Sequence, residues 1–278
     1  MSQNMNILLV ILIIISLCVI GYFIGGIIFA EIYAKFKNDD IHKFGSGNPG
    51  ATNIGRTYGK VAAISVALLD ASKGYVTTVI SLLCFKYLIH DNTKFNFDLT
   101  FLIFLPGLFT LIGHCFPIQY FAALVNNNWD FKKAKIRSGG KGVATAGGIY
   151  YAISPYPATI LLILWVIIVY FTKYVSMASL LVLLIGPFLF LIPVFLNLYM
   201  VNNTWFDAKI KDVDLLNFQK HMLNFIGILI INVSMFGIVC FKHRANIKRL
   251  IEGTELKVWV SKKNKNLETT ATSQPSNS

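Results

Sequence analysis

Charged residues are scarce in this sequence, and this scarcity decides the class of protein. Only 14% of the 278 residues are Asp, Glu, Lys or Arg, and 55% are hydrophobic. In a soluble domain about a quarter of the residues are charged. The shortage of charge therefore excludes a soluble globular domain and predicts an all-α, polytopic integral membrane protein. We expect a single membrane domain over residues 1–260 and a polar, disordered tail at 261–278.

Acidic residues are the rarest charged type, with 13 Asp and Glu against 25 Lys and Arg and a net charge of +12. Such a charge could indicate a nucleic-acid partner. Here the cations lie in short loops between apolar stretches, as the positive-inside rule requires of a membrane protein. We therefore expect a lipid bilayer as the surroundings, no nucleic-acid partner and no obligatory protein partner.

Cysteine is limited to four residues, and they form no C-x-x-C pair. Cys18, Cys84, Cys115 and Cys240 lie in or beside apolar stretches. This pattern excludes a disulfide framework and a zinc site, and it predicts that the thiols pack in the core. We expect no metal and no cofactor.

Apolar stretches that can cross a bilayer recur along the chain. The predicted spans are 7–34, 60–87, 99–115, 158–171, 180–198 and 222–240, with a half-span at 143–153. Pro155 and Pro157 separate the half-span from its successor, because two prolines so close interrupt a helix. About seven crossings with the N-terminus outside bring the cationic loops and the C-terminus to the cytoplasmic face.

A first anion-binding loop is predicted at residues 45–56, GSGNPGATNIGR. Glycine allows successive backbone N–H groups to point at one place, and Arg56 offers a planar fork that suits phosphate. An ordinary polar connection is the alternative interpretation. GSGNPG also fits the dinucleotide fingerprint, but no strand precedes it and no βαβ pattern surrounds it, which excludes that function.

A second anion-binding loop is predicted at residues 137–145, RSGGKGVAT. It is rich in glycine, cationic, and followed directly by a helix whose N-terminal N–H groups favour negative charge. It is not a Walker A loop, because Gly142 follows Lys141 where Ser or Thr should stand.

Asp70 and Lys73 lie well inside the second predicted span, about one turn apart on the same face. Burying either charge alone is costly, so we expect the two to neutralise each other or to face a wet cavity. A purely structural pair that locks helices together is the alternative.

A cationic helix is predicted to extend the last span and to stop at Gly253. His243 and Asn246 share one of its faces, because they are three residues apart. They could close a polar site. The alternative is a basic interfacial helix that holds anionic lipid head groups, with His243 incidental.

Several of these segments together resemble one family. The segments SGNPGATN followed by Arg56, LLDASKG, GHCFP, GGKGVAT, KYVSMAS and HRANIKRLIEGTE occur in this order over roughly residues 7–256. They resemble the bacterial acyl-phosphate:glycerol-3-phosphate acyltransferases (the PlsY family). The resemblance implies a seven-helix fold in the bacterial cell membrane, with its active site facing the cytoplasm.

The implied reaction is the first acylation step of phospholipid synthesis. An acyl group would pass from acyl phosphate to the C1 hydroxyl of glycerol 3-phosphate. The products would be 1-acylglycerol 3-phosphate, which is lysophosphatidic acid, and inorganic phosphate.

The resemblance also implies the site residues. The catalytic set comprises Ser46, Arg56, Lys141, His243 and Asn246. The substrate-binding set comprises Gly47, Asn48, Thr52, Asn53, Asp70, Lys73, His114, Gly139, Gly140, Gly142, Thr145, Ser176, Ser179 and Glu255. Lys141 would grip the phosphoryl group of acyl phosphate, and either Ser176 or Ser179 would contact substrate. Lys173 stands where the family usually has Arg, and the loops 119–138 and 202–220 are longer than expected.

Acyl phosphate is already activated, so the reaction requires no covalent acyl-enzyme. We therefore predict that the donor's phosphoryl oxygen removes the hydroxyl proton, with His243 as general base the competing mechanism. A membrane transporter of phosphate or of a small organophosphate is the alternative function, since it would also use broken helices and an intramembrane ion pair. Its binding groups should meet near the bilayer midplane, whereas most of those predicted here lie in loops on one face.

Overall fold

A computed structural model describes residues 7–85, 87, 100–134, 138–195 and 218–258, and those residues contain helices and no strand. The α-helices are α1 (Ile7–Gly25), α2 (Phe29–Phe36), α3 (Ala51–Tyr58), α4 (Lys60–Cys84), α5 (Phe104–Cys115), α6 (Ile118–Asn126), α7 (Phe131–Ala134), α8 (Val143–Ile153), α9 (Pro155–Thr172), α10 (Val175–Phe195) and α11 (Phe218–Ile251). Short 3₁₀ turns occupy Ile41–Lys43 and Thr100–Ile103. The predicted all-α class is confirmed for the described residues.

Four helical segments are long and apolar enough to cross a membrane: Leu8–Phe36, Lys60–Cys84, Pro155–Thr172 and Phe225–Ile251. A fifth candidate is the pair Phe101–Cys115 and Ile118–Asn126, which is bent by 48°. The shorter apolar helices Val143–Ile153 and Val175–Leu189 correspond to the remaining predicted segments. The chain therefore has the helices of an integral membrane protein, while the count of seven and the orientation of the termini stay predictions.

The sequence predicted two helix ends correctly. α8 ends at Ile153 and α9 begins at Pro155, so the two prolines break the helix as expected. α11 ends at Ile251, and Gly253 adopts a φ of +70°, in the left-handed region that favours glycine after a helix.

The first span differs from the continuous helix that the sequence predicted. α1 ends at Gly25 and α2 begins at Phe29, so a short break separates them. The break follows from the pair Gly25 and Gly26, because glycine has a low helix propensity. It also leaves backbone carbonyl groups without a partner in the helix, and Lys73 of α4 donates hydrogen bonds to two of them.

Glycines let pairs of helices approach until their backbones touch. An ideal Cβ at Gly25 of α1 would overlap the backbone of Thr110 in α5, and one at Gly113 of α5 would overlap the carbonyl oxygen of Tyr22 in α1. α4 and α8 pack in the same way, since a Cβ at Gly148 would overlap the carbonyl oxygen of Ala71. Small residues at helix contacts are the usual means of close packing in membranes.

Two apolar clusters support the two predicted loops. The larger one joins α5, α8 and α11 and includes Leu111, Ile149 and Met235. The smaller one lies around α2, α3 and α4 and includes Ile41 and Ile54. Each glycine-rich loop is thus attached to a buried apolar cluster, which fixes its position.

Two neighbouring glycines of α8 test the close packing. Gly148→Ala should lower stability by about 1–3 kcal/mol, because the added methyl group overlaps α4. Gly147→Ala is the matched control, since nothing lies within 4 Å of its added Cβ. Alanine there should be neutral or stabilising by up to about 1 kcal/mol. Thermal unfolding of the purified protein in detergent measures both, and equal unfolding temperatures for the two variants would contradict the helix contact described here.

Candidate active site

Asn53 organises the first glycine loop from inside. Its Oδ1 accepts a hydrogen bond from the N–H of Ser46 at 3.0 Å, and its Nδ2 donates to the carbonyl oxygens of Phe44 at 2.9 Å and Ile41 at 3.3 Å. Asn53 is only 2% exposed. Its amide is therefore committed to holding the loop, which favours a structural role over the predicted contact with substrate.

The loop needs glycine where its backbone turns. Gly45 and Gly47 have φ values of +55° and +67°. A Cβ at Gly45 would also overlap Oδ1 of Asn53. In the same loop Ser46 is exposed, while Asn48 is half-buried. Polar groups of this loop are thus presented on a surface that glycine makes accessible.

Thr52 and Arg56 belong to α3, the short helix that follows the loop, and both are half-buried. Arg56 is the predicted phosphate ligand of this segment. Its guanidinium lies close enough to Lys141 for the two charges to affect each other.

The second glycine loop packs against the end of α5. A Cβ at Gly139 would overlap the carbonyl oxygen of His114, and one at Gly140 would overlap Nε2 of the same side chain. The Cβ position of Gly140 is also 3.2 Å from the carbonyl oxygen of Pro49. The two glycine-rich loops, about ninety residues apart in the chain by their numbering, therefore meet at Gly140.

Lys242 of α11 holds the same loop from another side. Its Nζ donates to the carbonyl oxygens of Gly139 at 3.0 Å and Cys115 at 2.8 Å. Gly142 follows with a φ of +84° and precedes the first turn of α8. Arg137, the first residue of the predicted loop, lies outside the described residues.

Asp70, Lys73 and His114 form a buried polar cluster inside the bundle. Nζ of Lys73 donates to the carbonyl oxygens of Gly25 and Ile27, both at 2.9 Å, and to Nδ1 of His114 at 2.7 Å. An ammonium group has three N–H donors, so none is left for Asp70. Oδ1 of Asp70 lies 3.1 Å from Nζ as an ion pair and receives no hydrogen bond from the described residues.

This cluster explains how the break in the first span is tolerated. Lys73 satisfies two of the carbonyl groups that the break between α1 and α2 releases. Asp70, Lys73 and His114 are each less than 5% exposed. Thr145 links α8 to α4, since its hydroxyl donates a hydrogen bond to the backbone carbonyl of Asp70 at 3.0 Å. The geometry favours the structural interpretation of all four side chains.

Glu255 is the centre of a second polar cluster, beyond the end of α11. Its Oε1 accepts hydrogen bonds from Ser176 Oγ at 2.9 Å and Asn246 Nδ2 at 2.6 Å. Its Oε2 accepts one from Arg249 Nε at 2.7 Å. Burial raises the pKa of Glu255, but these hydrogen bonds and the charge of Arg249 outweigh it and hold the pKa below its usual range.

The two candidate serines have different surroundings. Ser176 donates to Glu255, as described, whereas the hydroxyl of Ser179 donates to the carbonyl of Val175 at 2.8 Å and accepts from Trp165 Nε1 at 3.1 Å. Ser176 is therefore the serine that belongs to the Glu255 cluster. Ser179 connects α9 and α10.

Cations from three segments surround this carboxylate. Arg56 donates to the carbonyl oxygen of Leu256 at 3.2 Å, and its pKa is lowered by burial although Glu255 opposes the shift. Burial, together with the charges of Arg249, Arg56 and Lys242, lowers the pKa of Lys141 to about 8. Glu255 neutralises only one of these positive charges, so the cluster keeps a net positive charge that favours an anion.

His243 lies beside these cations and is only 2% exposed. The charges of Lys141, Glu255 and Lys242 all act on it. Its Nδ1 is 2.8 Å from the carbonyl oxygen of Val239, which can only accept a hydrogen bond. Nδ1 therefore carries the hydrogen in the neutral ring, and Nε2 offers the lone pair.

The structure thus brings together Arg56, Lys141, Ser176, His243, Asn246 and Glu255. Arg249 was not among the predicted site residues, although it is three residues beyond Asn246 and so on the same helical face. Lys242 was not among them either, because its partners are backbone carbonyls that no sequence pattern reveals. Among the described residues no group of His, Cys, Asp and Glu is arranged to hold a metal ion.

Comparison with known proteins gives a consistent set of relatives. The family model described as glycerol-3-phosphate acyltransferase matches residues 15–253. A glycerol-3-phosphate acyltransferase of Malacoplasma penetrans is 35% identical, over 94% of this chain and 99% of that protein. One of Aquifex aeolicus is 32% identical, over 86% of this chain and 96% of that protein.

Solved structures resemble most of this chain. The crystal structure of PlsY, an integral membrane glycerol 3-phosphate acyltransferase, in its glycerol 3-phosphate form is 28% identical with a TM-score of 0.62. The likeness covers 88% of this chain and 94% of that one. The lysophosphatidic acid form of the same protein gives a TM-score of 0.60.

The lowered pKa of Lys141 predicts how anion binding depends on pH. Lys141 is charged below its pKa of about 8 and loses its proton as the pH rises through that value. Affinity for inorganic phosphate should therefore fall by about tenfold above this pH. Lys141→Arg should remove the fall, because a guanidinium stays charged. Isothermal titration calorimetry across this pH range measures both proteins, and the variant corrects for the ionisation of phosphate itself. Parallel pH profiles would show that Lys141 does not hold the anion.

Proposed function

The chain belongs to the glycerol-3-phosphate acyltransferase family, and on this premise we propose that its acyl donor is acyl phosphate. The acyl group passes to the C1 hydroxyl of glycerol 3-phosphate. The products are 1-acylglycerol 3-phosphate and inorganic phosphate. The protein acts in the bacterial cell membrane, with the site on the cytoplasmic side, and this reaction is the first acylation of phospholipid synthesis.

The proposal rests on three side chains that lie near one carboxylate. Arg56, Lys141 and His243 come from three distant parts of the chain and lie within electrostatic reach of Glu255. Both reactants bear phosphate, so the reaction needs two neighbouring anion sites together with a group that orients a hydroxyl. A cluster with several cations, one carboxylate and one neutral imidazole meets that requirement.

The second glycine loop suits the donor. The phosphoryl group of acyl phosphate would lie against Lys141 and the N-terminal N–H groups of α8, which favour a dianion. Its acyl chain would lie among the apolar helices of the bilayer-spanning part. Arg56 and the first loop would then hold the phosphate of glycerol 3-phosphate, with Ser46 and Asn48 as the nearest polar side chains of the loop.

The proton balance of the reaction supports substrate assistance. The hydroxyl of glycerol 3-phosphate loses a proton as its oxygen attacks the acyl carbonyl, and the departing phosphate gains one as the C–O bond to phosphate breaks. A direct transfer between them requires no basic residue. His243 would accept a hydrogen bond at Nε2 from the C2 hydroxyl of glycerol 3-phosphate, which orients the glycerol and leaves the proton of the C1 hydroxyl for the donor phosphate. The nearby Lys141 disfavours a positive charge on the ring, which a full general base would have to carry.

The test of function is an assay with purified protein. Incubation with palmitoyl phosphate and glycerol 3-phosphate should release inorganic phosphate and lysophosphatidic acid in equal amounts, whereas palmitoyl-CoA should give no product. Arg56→Gln should lower kcat/KM by at least about tenfold, because it removes a charge-assisted phosphate contact. Activity with palmitoyl-CoA alone would overturn the donor assignment. Phosphate movement across proteoliposomes without acyl transfer would favour the transporter.

His243→Gln distinguishes the two routes for the proton. Glutamine can still accept a hydrogen bond but cannot act as a base near neutral pH. If the donor phosphate takes the proton, kcat should fall by less than about tenfold, because only orientation is impaired. Loss of a general base would instead lower kcat by about 10²–10⁴-fold with KM unchanged. Steady-state kinetics at saturating concentrations of both substrates separate these results.

A further inference from the structure

His42 joins the first glycine loop to α2, and the proposed reaction leaves it without a role. Its Nδ1 is 3.0 Å from the carbonyl oxygen of Gly47, and its Nε2 is 3.2 Å from Oε1 of Glu31. The side chains of His42 and Glu31 are 17% and 31% exposed. His42 is therefore partly buried and connects two elements that flank the loop.

Both ring nitrogens face groups that can only accept a hydrogen bond. A carbonyl oxygen and a carboxylate carry no proton to donate, and a neutral imidazole has a single N–H. Neutral His42 can therefore bond to Gly47 or to Glu31, and its other nitrogen then directs a lone pair at an oxygen. Only the doubly protonated ring makes both hydrogen bonds.

The charged groups that act on His42 favour this protonated form. They are Glu31 from α2 and Asp40 at the start of the Ile41–Lys43 turn, and both are acidic. Oδ1 of Asp40 also accepts a hydrogen bond from the backbone N–H of His42 at 3.1 Å. The hydrogen bond to Glu31 is the largest influence and, against the opposing effect of burial, raises the pKa of His42 above its ordinary value of 6.5.

The bond from His42 acts on the middle of the glycine loop. Gly47 stands between Ser46 and Asn48 and needs its positive φ of +67°. A Cβ at Gly47 would lie 3.1 Å from the backbone oxygen of His42, so the loop folds back on this residue. A change at the ring therefore reaches the side chains on either side of Gly47.

We infer that His42 is a positioning residue: its protonated ring clasps Gly47 to Glu31, and the loop holds the phosphate of glycerol 3-phosphate less tightly once the proton is lost. This inference rests on the proposed function, because it takes the loop as part of the substrate site. The clasp is complete at low pH and is retained up to the raised pKa of the folded protein. It opens as the pH rises through that value.

Two substitutions separate a clasp that titrates from one that is merely structural. His42→Asn replaces Nδ1–H with an amide N–H that can still donate to Gly47 but does not titrate. Glu31→Gln leaves the imidazole and removes the carboxylate that favours its charged form. Glu252→Gln is the matched control, because Glu252 is an exposed carboxylate just past the end of α11, and its ion pair is with Lys248 of the last turn.

The measurement is KM for glycerol 3-phosphate as a function of pH at saturating acyl phosphate. In the wild type and in Glu252→Gln, KM should rise by about fivefold as His42 deprotonates. In His42→Asn, KM should lack this rise. In Glu31→Gln, KM should rise at a lower pH than in the wild type. The ionisation of glycerol 3-phosphate affects all four proteins alike, so the ratios between them isolate His42. Parallel profiles for wild type and His42→Asn would overturn the inference.

Hydrogen–deuterium exchange of the loop amides at residues 44–50 tests the clasp without catalysis. The exchange rate of these amides in the wild type, divided by the rate in His42→Asn, should increase across the pH range in which KM rises. A ratio that does not change with pH would overturn the clasp. If the protein performs no acyl transfer, the proposed function fails, while this ratio still decides whether the clasp exists.

Discussion

The buried carboxylate of Glu255 is the contact on which the candidate site depends. It accepts hydrogen bonds from α10 through Ser176 and from α11 through Asn246 and Arg249. It also opposes the mutual repulsion of Arg56, Lys141 and Arg249. Removing one partner from such a buried ionic cluster leaves the other charges unpaired, which is strongly destabilising. One negative charge among several positive ones leaves the cluster with a net positive charge, which is the basis for proposing that it binds phosphate.

Glycine shapes both the contacts between helices and the turns of the loops. Between helices, it lets α1 approach α5 and α4 approach α8 to backbone contact. Within the loops, it provides the turns at Gly45 and Gly47 and the contact of Gly140 with Pro49. The same residue type therefore sets the packing of the membrane part and the shape of the loops that would receive substrate.

The sequence predicted the elements better than it predicted the roles of their side chains. The all-α class, the break before Pro155 and the end of the last helix near Gly253 followed from long apolar stretches, proline and glycine. The break in the first span was missed, although Gly25 and Gly26 favour one, because the break is stabilised by Lys73, whose carbonyl partners are more than forty residues away. The inward role of Asn53 was missed for the same reason. Hydrogen bonds to backbone atoms leave no pattern in a sequence, whereas charge and hydropathy do.

A crystal structure with both reactants bound would decide whether distant segments form one chamber for two phosphates. The ligands would be glycerol 3-phosphate and a non-hydrolysable acyl phosphonate. We expect the glycerol phosphate at Arg56, the phosphonate at Lys141, the C2 hydroxyl within hydrogen-bond distance of Nε2 of His243 and the C1 hydroxyl facing the phosphonate. Phosphate groups bound on separate faces of the protein, or a C2 hydroxyl remote from His243, would contradict this arrangement.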